Sequence, residues 1–344
     1  MNISKELSEL PDALRQMYEE GLPLYDALIR RIGWSERPVY ITGDGSSYPA
    51  ALTGAWAFES LLGMPVIVER PAVFTAYTCR TLRPRSLVIV IAGPHDGKQI
   101  IEAATEARKH GAVVWVMTPN PASELPALAD AVATDYSVNS GDESSRSILC
   151  RHAAMLFLAV AAAQALKAPR KAAGAQEAEL AKLAGHVEWV LDQVSDAARA
   201  LAERFKSLPG LYFTGAGAFY PMALQAADRL RESGLLAAYG FELLAFERSY
   251  KHISQPGSGI VYLSSSRCGL KEQVHLSVGQ SGQERSRKVF AITDGNDRQL
   301  FERADMAILL PILTEAGAAL LTLAFLERAA SYVVTPARRQ AKTS

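Results

Sequence analysis

A chain of 344 residues has room for two domains of ordinary size. It is 49% hydrophobic and 21% charged, the composition of a folded globular protein, and its 36 basic residues equal its 36 acidic ones, so no global field draws it to nucleic acid or to an acidic membrane. Three cysteines, Cys79, Cys150 and Cys268, are far apart and odd in number, which excludes a disulfide framework and points to reduced thiols in a cytoplasm. Histidines 95, 110, 152, 186, 252 and 275 show no metal-ligand spacing, so no metal site is expected.

From the N-terminus, "MNISKELSELPDALRQ" lacks the apolar core of a signal peptide and reads as an amphipathic helix within a helical leader over 1–35. Next comes "YITGDGSSYPAAL", Tyr40 to Leu52, the pattern of a strand end, a glycine turn and a helix start. Free N–H groups and the helix dipole make such a terminus attractive to anions, and Gly45, Ser46 and Ser47 are the residues placed to hold one. A dinucleotide is a poor fit, because the fingerprint needs a third glycine where Tyr48 stands. The runs "PVIVERPAVF", "SLVIVIAG", "AVVWVMTPN" and "ADAVATDYSV" read as strands, separated by helical stretches such as 98–110. "AAMLFLAVAAAQAL", 153–166, is too short to span a bilayer and reads as a buried helix. The alanine- and glutamate-rich segment over 171–208 reads as connecting helices.

The turn then recurs. "YFTGAGAFYPMAL" at Tyr212 repeats Tyr, Thr, Gly, Gly, Tyr, Pro, Ala and Leu without a gap, and new apolar runs follow it, "GIVYLSSS", "KVFAITDG" and "ADMAILLP". A duplication of one α/β unit is the economical reading. Continuous apolar strands alternating with helices mean parallel sheets covered on both faces, so each copy is expected to be a three-layer α/β/α domain, the first over 36–170, the second over 209–325, with a tail over 326–344. The second copy carries Ala216, Ala218 and Phe219 where the first has Asp44, Ser46 and Ser47, so the first is the better anion site.

Two tandem glycine-turn α/β domains with serines in the first resemble the SIS (sugar isomerase) domain family. That family includes the isomerase half of glucosamine-6-phosphate synthase, phosphosugar isomerases, amino-sugar deaminases and deglycases. "KELSELPDALRQ" resembles its leader, "GDGSSY" its G-T-S-Y loop, "YPMALQAADRLRES" its second-domain helix and "PARRQAKTS" its C-terminal ending. The resemblance implies Glu232 as the base of an aldose–ketose proton shift and Lys342 as an amine that forms an imine with the open-chain sugar. It also implies a homodimer with the site at the subunit interface. The chemistry is coherent by itself, since a carboxylate can shuttle a proton through an enediol and a partly neutral amine attacks a carbonyl. No organic cofactor is needed.

The sequence departs from the family pattern in three places. Relatives carry S-x-S-G-x-[ST] after the next strand, whereas this chain has "AGPHDGKQ", with Ala92, Pro94 and Gly97 in place of the hydroxyls. Hydrogen bonds to a charged group contribute about 1.5–3 kcal/mol each, so their loss weakens a phosphate grip unless His95 and Lys98 replace them. The same loop is no P-loop, its glycines being one residue too close. Relatives carry a histidine after the second-domain glutamate; here Ser249 holds that place and His252 lies three residues on. Finally "GDESSRSILCR" keeps Glu143 and a serine cluster at a helix start, where Asp142 or Ser144 is an N-cap and Glu143, Ser145, Arg146 and Ser147 are candidate sugar contacts, Arg146 as a bidentate phosphate ligand. The glutamine-hydrolysing domain is expected to be absent, for the chain begins Met1-Asn2. The expected function is therefore that of a cytoplasmic sugar-phosphate isomerase or amino-sugar deaminase. The rivals are a regulator that binds the sugar derivative after its catalytic groups have decayed, and an enzyme whose remodelled loop takes an altered ligand.

Overall fold

Five-residue runs such as "VYITG" and "LVIVI" have no polar face, so they are stable only as strands covered on both sides. The computed structural model describes residues 3–34, 38–94, 97–137, 144–166, 170–234, 236–283 and 287–340, and divides into two units, Glu9–Ala184 and Met1–Ser8 with Gly185–Ser344. The first unit holds strands β1 (Val39–Gly43), β2 (Val66–Glu69), β3 (Leu87–Ile91), β4 (Val113–Met117) and β5 (Ala131–Ala133), all parallel, in the order β2-β1-β3-β4-β5. The second holds β6 (Leu211–Gly215), β7 (Ala238–Glu242), β8 (Gly259–Leu263), β9 (Lys288–Asp294) and β10 (Met306–Leu310), also parallel. Their order, β10-β9-β8-β6-β7, is the first sheet's order read from the other edge. Identical winding in both sheets is what duplication predicts.

In chain order the helices are α1 (Ile3–Ser8), α2 (Leu10–Gln16), α3 (Leu22–Ile32), α4 (Ser47–Leu62), α5 (Pro71–Ala76), α6 (Lys98–Lys109) and α7 (Ser145–Ala165). They continue as α8 (Arg170–Gln193), α9 (Ser195–Lys206), α10 (Phe219–Glu232), α11 (Leu243–Ala245), α12 (Lys271–Gln283), α13 (Arg298–Arg303) and α14 (Glu315–Gln340). In the first unit α3, α4 and α7 pack together on one face of the sheet, while α5 and α6 cover the other. The division of labour follows strand alternation: Tyr40, Val88, Val90, Val114 and Val116 join Ile100, Ala103, Ala104 and Ala107 of α6 in one core. In the second unit α9, α10 and α14 form one layer and α12 and α13 the other. Phe205 of α9 meets Phe213 and Phe290 edge-on at 5.9 and 5.5 Å.

Three expectations change in detail. The apolar helix read at 153–166 begins eight residues earlier, at Ser145, because Ser144 caps it. Residues 326–340, expected as a tail, continue α14. The segment over 171–208, expected as connecting helices between the domains, is shared by the two units, which divide within α8. Ser145–Ala165 and Glu315–Val333 are long and apolar enough to cross a membrane, yet 89% of each apolar window is buried inside the fold.

The repeated glycines have a steric cause. A Cβ on Gly43 would lie 2.9 Å from the Ser47 carbonyl oxygen, and one on Gly215 would lie 2.8 Å from that of Phe219. The next glycine of each turn, Gly45 or Gly217, has φ of +53° or +57°, where a Cβ is strained. Gly215→Ala is therefore expected to lose about 1–3 kcal/mol by overpacking against backbone. Urea unfolding checks this, and a loss below about 0.5 kcal/mol would show that the start of α10 shifts freely.

Candidate functional site

In the first sheet the chain winds one way from β1 to β2 and the other way from β1 to β3, so the crevice at the carboxyl ends of β1 and β3 is the switch point where such sheets take ligands. The turn Gly43–Ser47 stands at that crevice. Ser47 and Tyr48 donate their N–H groups back to the carbonyls of Asp44 and Gly45, at 2.9 and 3.2 Å, which tightens the turn into α4. Ser46 is the N-cap residue, but its side chain does not cap the helix.

Both serine hydroxyls are held from behind. Arg151, in the second turn of α7, donates through Nη1 to Ser46 Oγ at 2.7 Å and to Ser47 Oγ at 3.0 Å. The guanidinium is only 1% exposed, and its Nε lies 3.7 Å from Oδ2 of Asp135, which is fully buried just after β5. Asp135 Oδ1 accepts from the Ser137 N–H and hydroxyl at 3.0 and 2.7 Å. Because a guanidinium only donates, it fixes both serine oxygens as acceptors on its own side. Each hydroxyl keeps its own hydrogen to donate elsewhere, and the neighbouring positive charge strengthens it as a donor.

A second cation stands at the rim. Arg70, which follows β2, lies over the Tyr48 ring at 4.2 Å and pairs with Asp44 at 3.2 Å, with about half of its side chain exposed. An incoming anion would compete with Asp44 for it. Neither Arg70 nor Arg151 was legible as a site residue, although each lies on the turn.

The residues named from sequence are distributed as follows. Gly45, Ser46 and Ser47 are at the crevice. Lys98 begins α6, is 88% exposed and leans toward Glu102 at 3.6 Å. At the start of α7, Ser144 and Ser147 form a reciprocal capping box, so the N-cap expectation for Ser144 holds and the Ser147 hydroxyl is engaged within the helix end. Ser145 is buried there as well. Arg146 pairs with Glu9 at 3.1 Å and donates to the Tyr136 carbonyl at 3.3 Å. Glu232 ends α10 with an exposed carboxylate 3.9 Å from Arg229, whose Nε lies 3.2 Å from the buried Glu327. His252 is exposed in a short helical turn beside Lys251, which is buried and paired with Glu247 at 3.1 Å. His95, Glu143 and Lys342 lie outside the described residues.

Burial decides the chemistry of the thiol next to Arg151. Desolvation first, and the charge of Asp135 second, push Cys150 up to about 12, while Arg146 and Arg151 pull the other way. At neutral pH Cys150 is a thiol and no nucleophile.

A doubly wound α/β unit with a glycine turn at its switch point is the architecture of a small-ligand protein. Residues 34–166 match the SIS domain family. The match spans 133 of the 344 residues, all within the first unit. Glutamine–fructose-6-phosphate aminotransferase (isomerizing) of Gloeobacter violaceus is 25% identical over 337 residues, which cover 96% of this chain and 55% of that protein. The chain thus spans about half the length of the curated relatives it matches. Among solved structures, the C-terminal domain of glucosamine-fructose-6-phosphate aminotransferase from Francisella tularensis superposes with a TM-score of 0.82 at 16% identity, covering 97% of this chain and 96% of that one. Tagatose-6-phosphate ketose/aldose isomerase from Escherichia coli does so at 0.79 and 15%, covering 97% and 92%. These likenesses show the fold, for both units.

Two outcomes follow from the buried charges. Arg151→Met leaves Asp135 buried without its cation and is expected to cost about 3–5 kcal/mol, read by urea unfolding. Cys150 has a folded pKa above its unfolded value of 9.0, so its contribution is full below pH 9 and is lost as pH rises toward about 12, by roughly 1.4 kcal/mol per pH unit. Cys150→Ala is expected to flatten that alkaline limb in stability measured against pH.

Proposed function

We propose that this protein binds a phosphorylated keto- or amino-sugar at the glycine turn of the first unit and shifts a proton between adjacent sugar carbons, by isomerisation or in the course of deamination. What supports the reading above all is the pair of serine hydroxyls at the switch point, each accepting from a buried guanidinium and so keeping its own O–H to donate. A phosphate monoester offers the acceptors such donors need. Arg70 is added to the anion-binding set, and Lys98 remains in it as a long-range charge. Glu232 is the proposed base, on the resemblance of "YPMALQAADRLRES" to the family's second-domain helix; Lys342 is the proposed imine-forming amine, and His252 the proposed aid to ring opening. The enzyme is proposed to work as a homodimer.

A second reading keeps the ligand and drops the turnover. It is favoured by the loop after β3, where Ala92, Gly93 and Pro94 offer no side-chain donor, and by Lys251, which turns to Glu247 while the family histidine is missing. In that case the protein senses a sugar phosphate without converting it.

Calorimetric titration with fructose 6-phosphate, with fructose as control, tests the common part. Two charge-assisted hydrogen bonds are worth at least about 3 kcal/mol, so the phosphate is expected to improve affinity by at least about 100-fold. Equal affinity for both sugars would remove the phosphate site. Glu232→Gln is then expected to retain binding and lose turnover, whereas undiminished turnover rejects Glu232 as the base. Binding without turnover in the unaltered protein establishes the sensor reading.

A further inference from the structure

The two copies differ at the start of their last helix. Ser144 caps α7, and Thr314 precedes α14 with its hydroxyl accepting from the Gly317 N–H at 3.3 Å. The first helical residue is therefore Ser145 in one copy and Glu315 in the other. Glu315 reaches across two loops. Its Oε1 accepts from the Ala218 N–H and its Oε2 from the Gly269 N–H, both at 3.2 Å. Ala218 holds the position in the repeat that Ser46 holds in the first copy, and Gly269 ends the hydroxyl-rich loop Ser264–Gly269 between β8 and α12.

One carboxylate thus bridges N–H donors from two separate segments at the carboxyl edge of the second sheet, just before the starts of α10 and α12. A small oxyanion bound at a switch point makes the same set of contacts. A second carboxylate completes the pattern. Asp294, at the end of β9 and 1% exposed, accepts from the Ser266 N–H and hydroxyl, both at 2.9 Å, and from the Asn296 N–H at 3.0 Å. The donors that a phosphate would use in this copy are answered by the chain's own acids.

We propose that Glu315 is an internal ligand whose carboxylate fills the anion position of the second copy, closing it to phosphate groups, and that its removal opens a site for inorganic phosphate. In the first copy the equivalent residue, Ser145, carries no charge and leaves that role to an external anion. The inference does not rest on the proposed sugar chemistry, only on the symmetry of the two copies and on the contacts of Glu315. Burial of the carboxylate raises its pKa against the pull of the two N–H groups, so its position is set by the fold and carries an electrostatic cost.

The test titrates inorganic phosphate into Ser46→Ala/Ser47→Ala protein, in which the first-copy hydroxyls are gone, with and without Glu315→Ala. The added substitution is expected to create one phosphate site of roughly millimolar strength, while the parent binds none at that strength. A Glu315→Ala protein that melts cooperatively and gains no phosphate binding overturns the proposal. The unaltered protein provides a second measurement that needs no variant: the amide resonances of Ala218 and Gly269 are expected to stay in place at saturating phosphate. Their displacement would show that an external anion reaches them, and would equally overturn it. If fructose 6-phosphate fails to bind the unaltered protein, the sugar-phosphate reading falls, yet a phosphate site gained with Glu315→Ala still stands.

Discussion

The first unit is organised around one charge that never meets water. Arg151 enters the core on α7, a helix buried along most of its length, and must be balanced there by Asp135 and by hydrogen bonds. Those bonds go to the two serines of the glycine turn, so the cost of burying a guanidinium is tied to the geometry of the turn. The turn cannot shift without stranding the cation, and the cation cannot leave without stranding Asp135. Three elements far apart in sequence, the end of β1, the segment after β5 and the second turn of α7, are held in register by this small network.

Duplication supplied two such turns, and the second has been put to a different use. Its strands run in the same order and its glycines meet the same steric limit, but Ala218 and Phe219 replace the serines and Glu315 contributes an acid from the last helix. The first copy places a buried cation behind the turn, and the second places an anion in front of it. Opposite electrostatics on one backbone show how little the fold alone decides about the ligand.

Much of the architecture could be read from the sequence because it rests on local patterns. Unbroken apolar runs with helical stretches between them gave parallel sheets with two covered faces, and a gap-free match from Tyr40 to Leu52 gave the duplication. Ser144 was legible as a cap because capping is written within three residues. Arg151 was not legible, since "ILCRHAAML" looks like the polar interruption of a helix whose exposed side is unknown. Only the tertiary position of Asp135, sixteen residues earlier and just after β5, gives that arginine a partner in the core. Arg70 escaped for a similar reason, its partner Asp44 being 26 residues away. Arg146 is paired with Glu9, the residue before α2, a partner 137 positions upstream that no local pattern announces.

The last helix of the second unit carries two acids, Glu315 and Glu327, about 18 Å apart along its axis. One holds the N–H that opens α10, and the other holds Arg229 in the last turn of that same helix. A rod clipped at both ends to a second rod has lost its freedom to slide or pivot alone. α10 is thus tied to α14 at its first and last turns, and Glu232, at the tip of α10, stands three residues beyond the clip at Arg229, so the proposed base owes its place to a helix that holds none of the proposed ligand contacts.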